Sequence, residues 1–85
     1  MTTTENLLAL ADNSRLIYSI DEYEDYLVKL NNKYCVYGIT YEYNGDPEPN
    51  FQTAWEDTAE LAIQKYQEEY EIATEDINYS EIGNI

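Results

Sequence analysis

The fold is decided by residues 34–43, which read YCVYGITYEY. This stretch is rich in β-branched and aromatic side chains, the residue types that favour strands. Because successive side chains of a strand point to opposite faces, Cys35 and Tyr37 share one face, and Tyr34 and Val36 share the other. Both faces are therefore partly apolar, and the segment predicts a strand around which a small sheet forms.

Helical spacing precedes this strand. Three leucines predict a short first helix over residues 2–12, and residues 15–18 favour a short strand. Residues 19–32 carry tyrosines and leucines three and four positions apart, with acidic residues in the opening turn. That spacing predicts a second helix.

A longer helical pattern follows the strand. Residues 44–49 contain an Asn-Gly pair and two prolines, which end the strand. Residues 51–70 repeat apolar side chains at helical spacing and predict the main helix, with Thr53 and Glu56 as its capping box. The irregular apolar residues of segment 72–85 leave either a strand or a short helix open.

The composition predicts one folded domain over residues 1–85. Four basic residues against 18 acidic ones give a net charge of −14, which favours disorder by self-repulsion. The ten tyrosines oppose this tendency, because each aromatic side chain can bury about 150–250 Å². We therefore expect an α+β fold in which two to three helices pack on a small, mostly antiparallel sheet.

Several classes of site are excluded by what the chain lacks. With no histidine and a single cysteine, Cys35, it has no Cys/His zinc site and no histidine-activated nucleophile. Its three glycines are not spaced as in a phosphate-binding loop. Asp46 and Glu48 lie in a segment without the central glycine of an EF-hand. We expect no enzyme activity, no cofactor and no resident metal.

The beginning of the chain and its hydropathy bear on location. No apolar run is long enough to cross a membrane, and the first residues lack the basic start of a secretory signal. We therefore expect a cytoplasmic protein that contacts no membrane.

The acidic residues are concentrated in the second half of the chain. After Lys33 there are twelve acids and one base, Lys65, which gives −11 in 52 residues. A surface built only for solubility normally mixes both signs at a net charge of about 2–8. This chain instead retains the repulsion among its acidic side chains. We therefore expect a surface whose negative charge is neutralised by the cations of another molecule. Four residues of helix rise about 6 Å, close to the spacing of phosphates along a nucleic-acid strand.

In size, charge and aromatic content the chain resembles the small acidic inhibitors of bacteriophages and mobile elements. Those proteins mimic DNA and block restriction enzymes, CRISPR effectors, uracil-DNA glycosylase or nucleoid proteins. The resemblance covers the whole chain as composition and no stretch as sequence, so it supplies no site residue. It implies an anti-restriction or anti-CRISPR type of protein in the cytoplasm of a host cell.

We therefore predict a non-catalytic inhibitor that binds the basic nucleic-acid-binding surface of a DNA- or RNA-binding protein by charge mimicry, without itself binding nucleic acid. Acidic residues supply charge and acceptors for lysine or arginine, and three tyrosines add contact area. The predicted contact residues are Glu56, Asp57, Glu60, Glu68, Glu69, Glu71, Glu75, Asp76, Glu42, Asp46, Glu48, Asp21, Glu22, Glu24, Asp25, Tyr41, Tyr43 and Tyr79.

Two other interpretations stay open. One is an antitoxin- or immunity-type binder of one specific basic protein, which would depend on a few buried hot spots rather than on a distributed field. The other is an acidic surface that only keeps the protein dissolved or adapts it to salt. The sequence also leaves a homodimer open.

Overall fold

A computed structural model of the chain describes residues 3–41, 45–83 and 85. Its centre is a four-stranded antiparallel sheet in the order β1-β2-β3-β4, so the α+β class is confirmed. The strands are β1 (Asn13–Ile20), β2 (Tyr23–Leu30), β3 (Lys33–Thr40) and β4 (Glu48–Gln52). Two α-helices, α1 (Thr3–Leu10) and α2 (Ala59–Tyr70), are followed by 3₁₀ turns at Thr74–Asp76 and Tyr79–Glu81.

Strand β3 is the core of the molecule, because both of its faces are covered. On one face Val36 packs with Leu27 of β2 and with Ile63 and Tyr66 of α2. On the other face a second cluster contains Cys35, Tyr37 and Ile39, and Leu7 and Leu8 of α1 pack against it. The sheet is thus a middle layer between the two helices, which explains why residues 34–40 are apolar on both faces.

A glycine on β3 lets an aromatic stack form between the sheet and α2. Gly38 pairs with Phe51 of β4, and a Cβ atom at position 38 would overlap the Phe51 ring. The Phe51 ring lies 4.3 Å from the Tyr70 ring and 6.0 Å from the Tyr66 ring, measured between centroids. The absence of a side chain at Gly38 therefore sets where α2 docks.

The predicted helix over residues 19–32 is wrong. These residues form the end of β1, a turn, strand β2 and the first residues of the next turn. Both faces of β2 are apolar because both are covered, so the alternation that marks a strand is hidden. Asn31 and Asn32 have φ of 54° and 63°, which is typical of the two-residue hairpin turn that joins β2 to β3.

The main helix is shorter than predicted, and the predicted capping box of Thr53 and Glu56 does not start it. Residues 51–52 belong to β4, and α2 starts at Ala59 with Thr58 as its N-cap, whose side chain accepts a hydrogen bond from the Leu61 amide. The Thr53 hydroxyl instead accepts from the Val36 amide at 2.9 Å. Helical spacing from Phe51 onward was misleading because Phe51 reaches the same core from a strand.

The described helices contain no segment long and apolar enough to span a membrane.

Candidate partner-binding surface

Most of the acidic side chains are not neutralised by a basic neighbour. Among the side chains that the structure describes, one salt bridge joins Lys33 to Asp57, and both partners are exposed. The hydrogen bond from Lys33 and its charge lower the pKa of Asp57. The other exposed acidic side chains of the described residues face solvent without a salt bridge, so the net charge of −14 gives the molecule a strongly negative field.

Helix α2 concentrates negative charge near its C-terminal end. Glu68 and Glu69 are exposed in its last turn, where no basic residue is present. Glu71 is the C-cap, with a left-handed φ of 57°. The carboxyl end of a helix is already the negative pole of its dipole, so these carboxylates add to a field of the same sign. Glu60 is exposed in the first turn, where the dipole favours an acid.

The two ends of the sheet differ in charge. The β1–β2 turn carries Asp21 and Glu22, both exposed, and Glu48 opens β4 in register with Thr40 at the same end, with Asp46 just before it. We call these four acids the acidic end of the sheet. Three of the four basic residues lie in the other half of the sheet: Arg15, Lys29 and Lys33.

A groove between α2 and the segment that follows β4 brings predicted residues together. This acidic groove has a volume of about 430 Å³ and is lined by Thr53, Ala54, Glu56, Lys65, Glu68 and Glu69. The backbone of Glu56 is held by two hydrogen bonds with Tyr34, at 2.7 and 2.8 Å. Three acidic residues and one lysine therefore line a groove, and hydrogen bonds to β3 hold its wall at Glu56 in place.

The placement of Asp25 corrects the sequence interpretation. It lies on β2 rather than on an exposed helix, and it is 7% exposed beneath α2. Burial raises the pKa of its carboxyl, although the hydroxyl of Tyr66 donates a hydrogen bond to it. Asp25 belongs to the core and does not present its charge to a partner.

The remaining predicted residues are spread over other parts of the surface. Glu75 and Asp76 are exposed on the 3₁₀ turn near the β1 edge, where the Asn78 amide donates to the Ile17 carbonyl at 2.8 Å. Tyr79 is 45% exposed in the next turn. Glu42 and Tyr43 lie outside the described residues.

A carboxylate and a phenol that were not predicted to interact form a pair on the face of the sheet covered by α1. The Tyr26 hydroxyl donates to the Glu24 carboxylate at 3.0 Å, and Tyr41 is half-buried beside them. Burial first, and then Glu24, raise the pKa of Tyr26 to about 12 and also raise that of Tyr41. Both phenols are therefore neutral hydrogen-bonding groups at physiological pH.

A second groove was not predicted from the sequence. This apolar groove has a volume of about 310 Å³ and is lined by Leu7, Tyr37, Pro49, Asn50, Phe51 and Gln52. Trp55, expected on the main helix, instead lies before it, is 39% exposed and lines a small pocket with Leu30, Asn31 and Lys33. The sequence feature that could have indicated both is the turn-forming segment 44–49, since a short edge strand can follow such a segment before the helix begins.

The chemistry available at this surface is the capture of cations by carboxylates. The thiol of Cys35 is buried, and burial raises its pKa to about 12, so it is not a nucleophile. The described residues hold no group of three or more Cys, Asp and Glu side chains arranged to bind a metal ion. No protein-family model, curated protein or solved structure matches this chain.

Proposed function

We propose that this protein is a non-catalytic inhibitor that occupies the basic nucleic-acid-binding surface of a DNA- or RNA-binding protein, such as a restriction enzyme or a CRISPR effector. It acts in the cytoplasm by presenting carboxylates where the partner normally meets phosphates. Lysine and arginine side chains that bind phosphates also bind carboxylates, through short charge-assisted hydrogen bonds.

The observation that carries this proposal is the shortage of internal neutralisation. The described part of the chain contains one salt bridge, Lys33–Asp57, although the protein carries 18 acidic residues and a net charge of −14. The acids of α2 and Glu48 of β4 sit on hydrogen-bonded elements, so their backbone positions are fixed before binding. Such a fixed negative field accelerates association with a basic surface and makes that association sensitive to salt.

The proposal is tested by capture and competition. The immobilised protein is exposed to bacterial lysate at low salt, and the retained proteins are eluted with high salt and identified. We expect to retain a nucleic-acid-binding protein that high salt releases. Adding duplex DNA or RNA should also displace this partner from the immobilised protein. A retained partner that still binds its nucleic acid fully while saturated with this protein would overturn the mimicry.

A second candidate is a specific binder of one basic protein, of the antitoxin or immunity type. Trp55 favours it, because tryptophan is enriched among the residues that dominate binding energy, and this one is 39% exposed between Ala54 and Glu56. In that case a few contacts, rather than the whole field, would carry the affinity.

A further inference from the structure

The two grooves lie on opposite sides of the same stretch of chain. The apolar groove is formed by β4 with Leu7 and Tyr37, which pack on the face of the sheet covered by α1. The acidic groove begins at Thr53, the residue after β4 ends, and its far wall is α2 on the other face. Residues 49–56 are therefore a ridge between the two grooves, and we call them the β4 ridge.

The β4 ridge is at an edge of the sheet, where β4 has a strand neighbour on one side only. Pro49 has no N–H to donate, and the register with β3 is irregular between Gly38 and Ile39. Prolines and bulges at an edge strand prevent the pairing of another strand through main-chain hydrogen bonds. An occupant of this edge would therefore be held by side chains that enter the grooves.

The charge around the β4 ridge selects the occupant. The acidic groove carries Glu56, Glu68 and Glu69 against Lys65 alone, and Glu48 lies at the other end of β4. A second copy of this chain would bring another net charge of −14 to this edge and be repelled. A cationic segment gains attraction along the whole ridge.

We propose that the β4 ridge is the docking site for an exposed segment of a basic protein in which an apolar side chain is flanked by lysines or arginines. The apolar side chain enters the apolar groove, and a neighbouring cation enters the acidic groove. This inference rests on the proposed function, because it names the part of the surface that the basic partner contacts first. It also explains why an apolar groove lies beside so acidic a surface.

The test uses two synthetic peptides and the full chain labelled with ¹⁵N. One peptide is acetyl-Lys-Gly-Lys-Leu-Lys-Gly-Lys-amide, and its twin has serine in place of leucine. At low salt, we expect the leucine peptide to shift the amide signals of residues 50–56, Glu68 and Glu69 more than those of the acidic end of the sheet. Because burying a leucine side chain is strongly favourable, it should bind about tenfold more tightly than the serine twin.

A matched pair of variants separates the β4 ridge from the general field. Ala54 and Ala73 are both exposed, and Ala73 lies among other acids near Glu71 and Glu75. Ala54→Lys places a cation inside the acidic groove and should weaken binding of the leucine peptide about tenfold, whereas Ala73→Lys, with the same charge change, should weaken it less than about twofold. The amide spectrum of each variant verifies that it is folded.

Equal affinity for the two peptides, or equal effects of Ala54→Lys and Ala73→Lys, would overturn the docking site. So would self-association of the free protein that the leucine peptide reverses, because the occupant would then be a second copy. None of these results affects the proposed function, which is decided separately by capture from lysate and competition with nucleic acid. If the peptides bind as expected but no nucleic-acid-binding protein is captured, the proposed function is rejected and the β4 ridge remains a peptide-binding site.

Discussion

The hydroxyl of Tyr66, on α2, donates a hydrogen bond to the carboxylate of Asp25, on β2, inside the core. Tyr66 is fully buried, and Asp25 is 7% exposed. Burial and the neighbouring Asp25 raise the pKa of Tyr66 well above its usual range, so the phenol remains a donor. This contact joins the main helix to the sheet and places one of the protein's many carboxylates where water hardly reaches it.

Replacing Asp25 with asparagine should change how stability depends on pH. The pKa of the buried carboxyl is raised above 3.8, so its contribution to stability is full below that value and is lost as the pH rises through the raised pKa. The asparagine side chain would keep an acceptor without the charge. We expect Asp25→Asn to gain stability relative to the wild type as the pH rises from 3.8 to neutrality, measured by urea unfolding. Glu22→Gln, at an exposed turn outside the helices, reports the effect of net charge alone. A stability difference between the wild type and Asp25→Asn that stays constant with pH would contradict this prediction.

Removing the Tyr66 hydroxyl should be costly at neutral pH. Tyr66→Phe leaves the Asp25 carboxylate buried without this donor, and an unsatisfied buried group costs about 1–3 kcal/mol. The exposed Tyr79→Phe should change the free energy of unfolding by less than about 0.5 kcal/mol. In the Asp25→Asn background the cost of Tyr66→Phe should fall; an unchanged cost would mean that the contribution of the hydroxyl does not depend on the charge of Asp25.

Adding a methyl group at Gly38 should destabilise the docking of α2. In Gly38→Ala the new Cβ overlaps the Phe51 ring, and overpacking of this kind costs about 1–3 kcal/mol. Gly83→Ala is the matched control, since no atom lies within 4 Å of its added Cβ. Thermal unfolding followed by circular dichroism measures both. A normal melting temperature for Gly38→Ala would show that the stack of Phe51 on α2 is dispensable.

The turn between β2 and β3 offers a stabilising change. Asn32 has φ of 63°, a left-handed conformation that glycine adopts without the steric cost paid by other residues. We expect Asn32→Gly to raise the free energy of unfolding by up to about 1 kcal/mol. The same substitution at Asn50, in strand β4, should lower it because glycine weakens strands. A loss of stability at both sites would contradict this, because the entropy that glycine adds to the unfolded state would then outweigh the relief of the left-handed backbone at Asn32.

Charge reversal distinguishes the two candidate functions once a partner has been retained from lysate. If a distributed field drives binding, Glu56→Lys and Glu68→Lys should each weaken it by about tenfold or less, and their effects should add. If a hot spot drives binding, Trp55→Ala alone should remove most of the affinity. Isothermal titration calorimetry at fixed salt measures the wild type, the three single variants and the Glu56→Lys/Glu68→Lys double variant, which tests additivity.

The sequence predicted the strand around residues 34–43 correctly as β3 (Lys33–Thr40), together with the short first helix and most of the main helix. These elements have strong local signals, such as consecutive β-branched and aromatic residues or a long helical repeat. Strand β2 was mistaken for a helix because its two faces are buried under different helices, and that fact belongs to the tertiary structure. The same is true of Phe51, whose apolar character suits a helix as well as a strand.

Charge and composition are properties of the sequence itself, and they alone determine that this is a strongly acidic, tyrosine-rich chain with few basic residues to neutralise its carboxylates. Which carboxylates are presented together was decided only by folding. Asp25 and Glu24 are adjacent in sequence, yet they lie on opposite faces of β2, and only Asp25 is buried. Glu56 and Glu68 are twelve residues apart and line one groove. Side-chain alternation along β2 and the packing of α2 determine which of these carboxylates lie together. Neither can be inferred before the strands and helices are assembled into the fold.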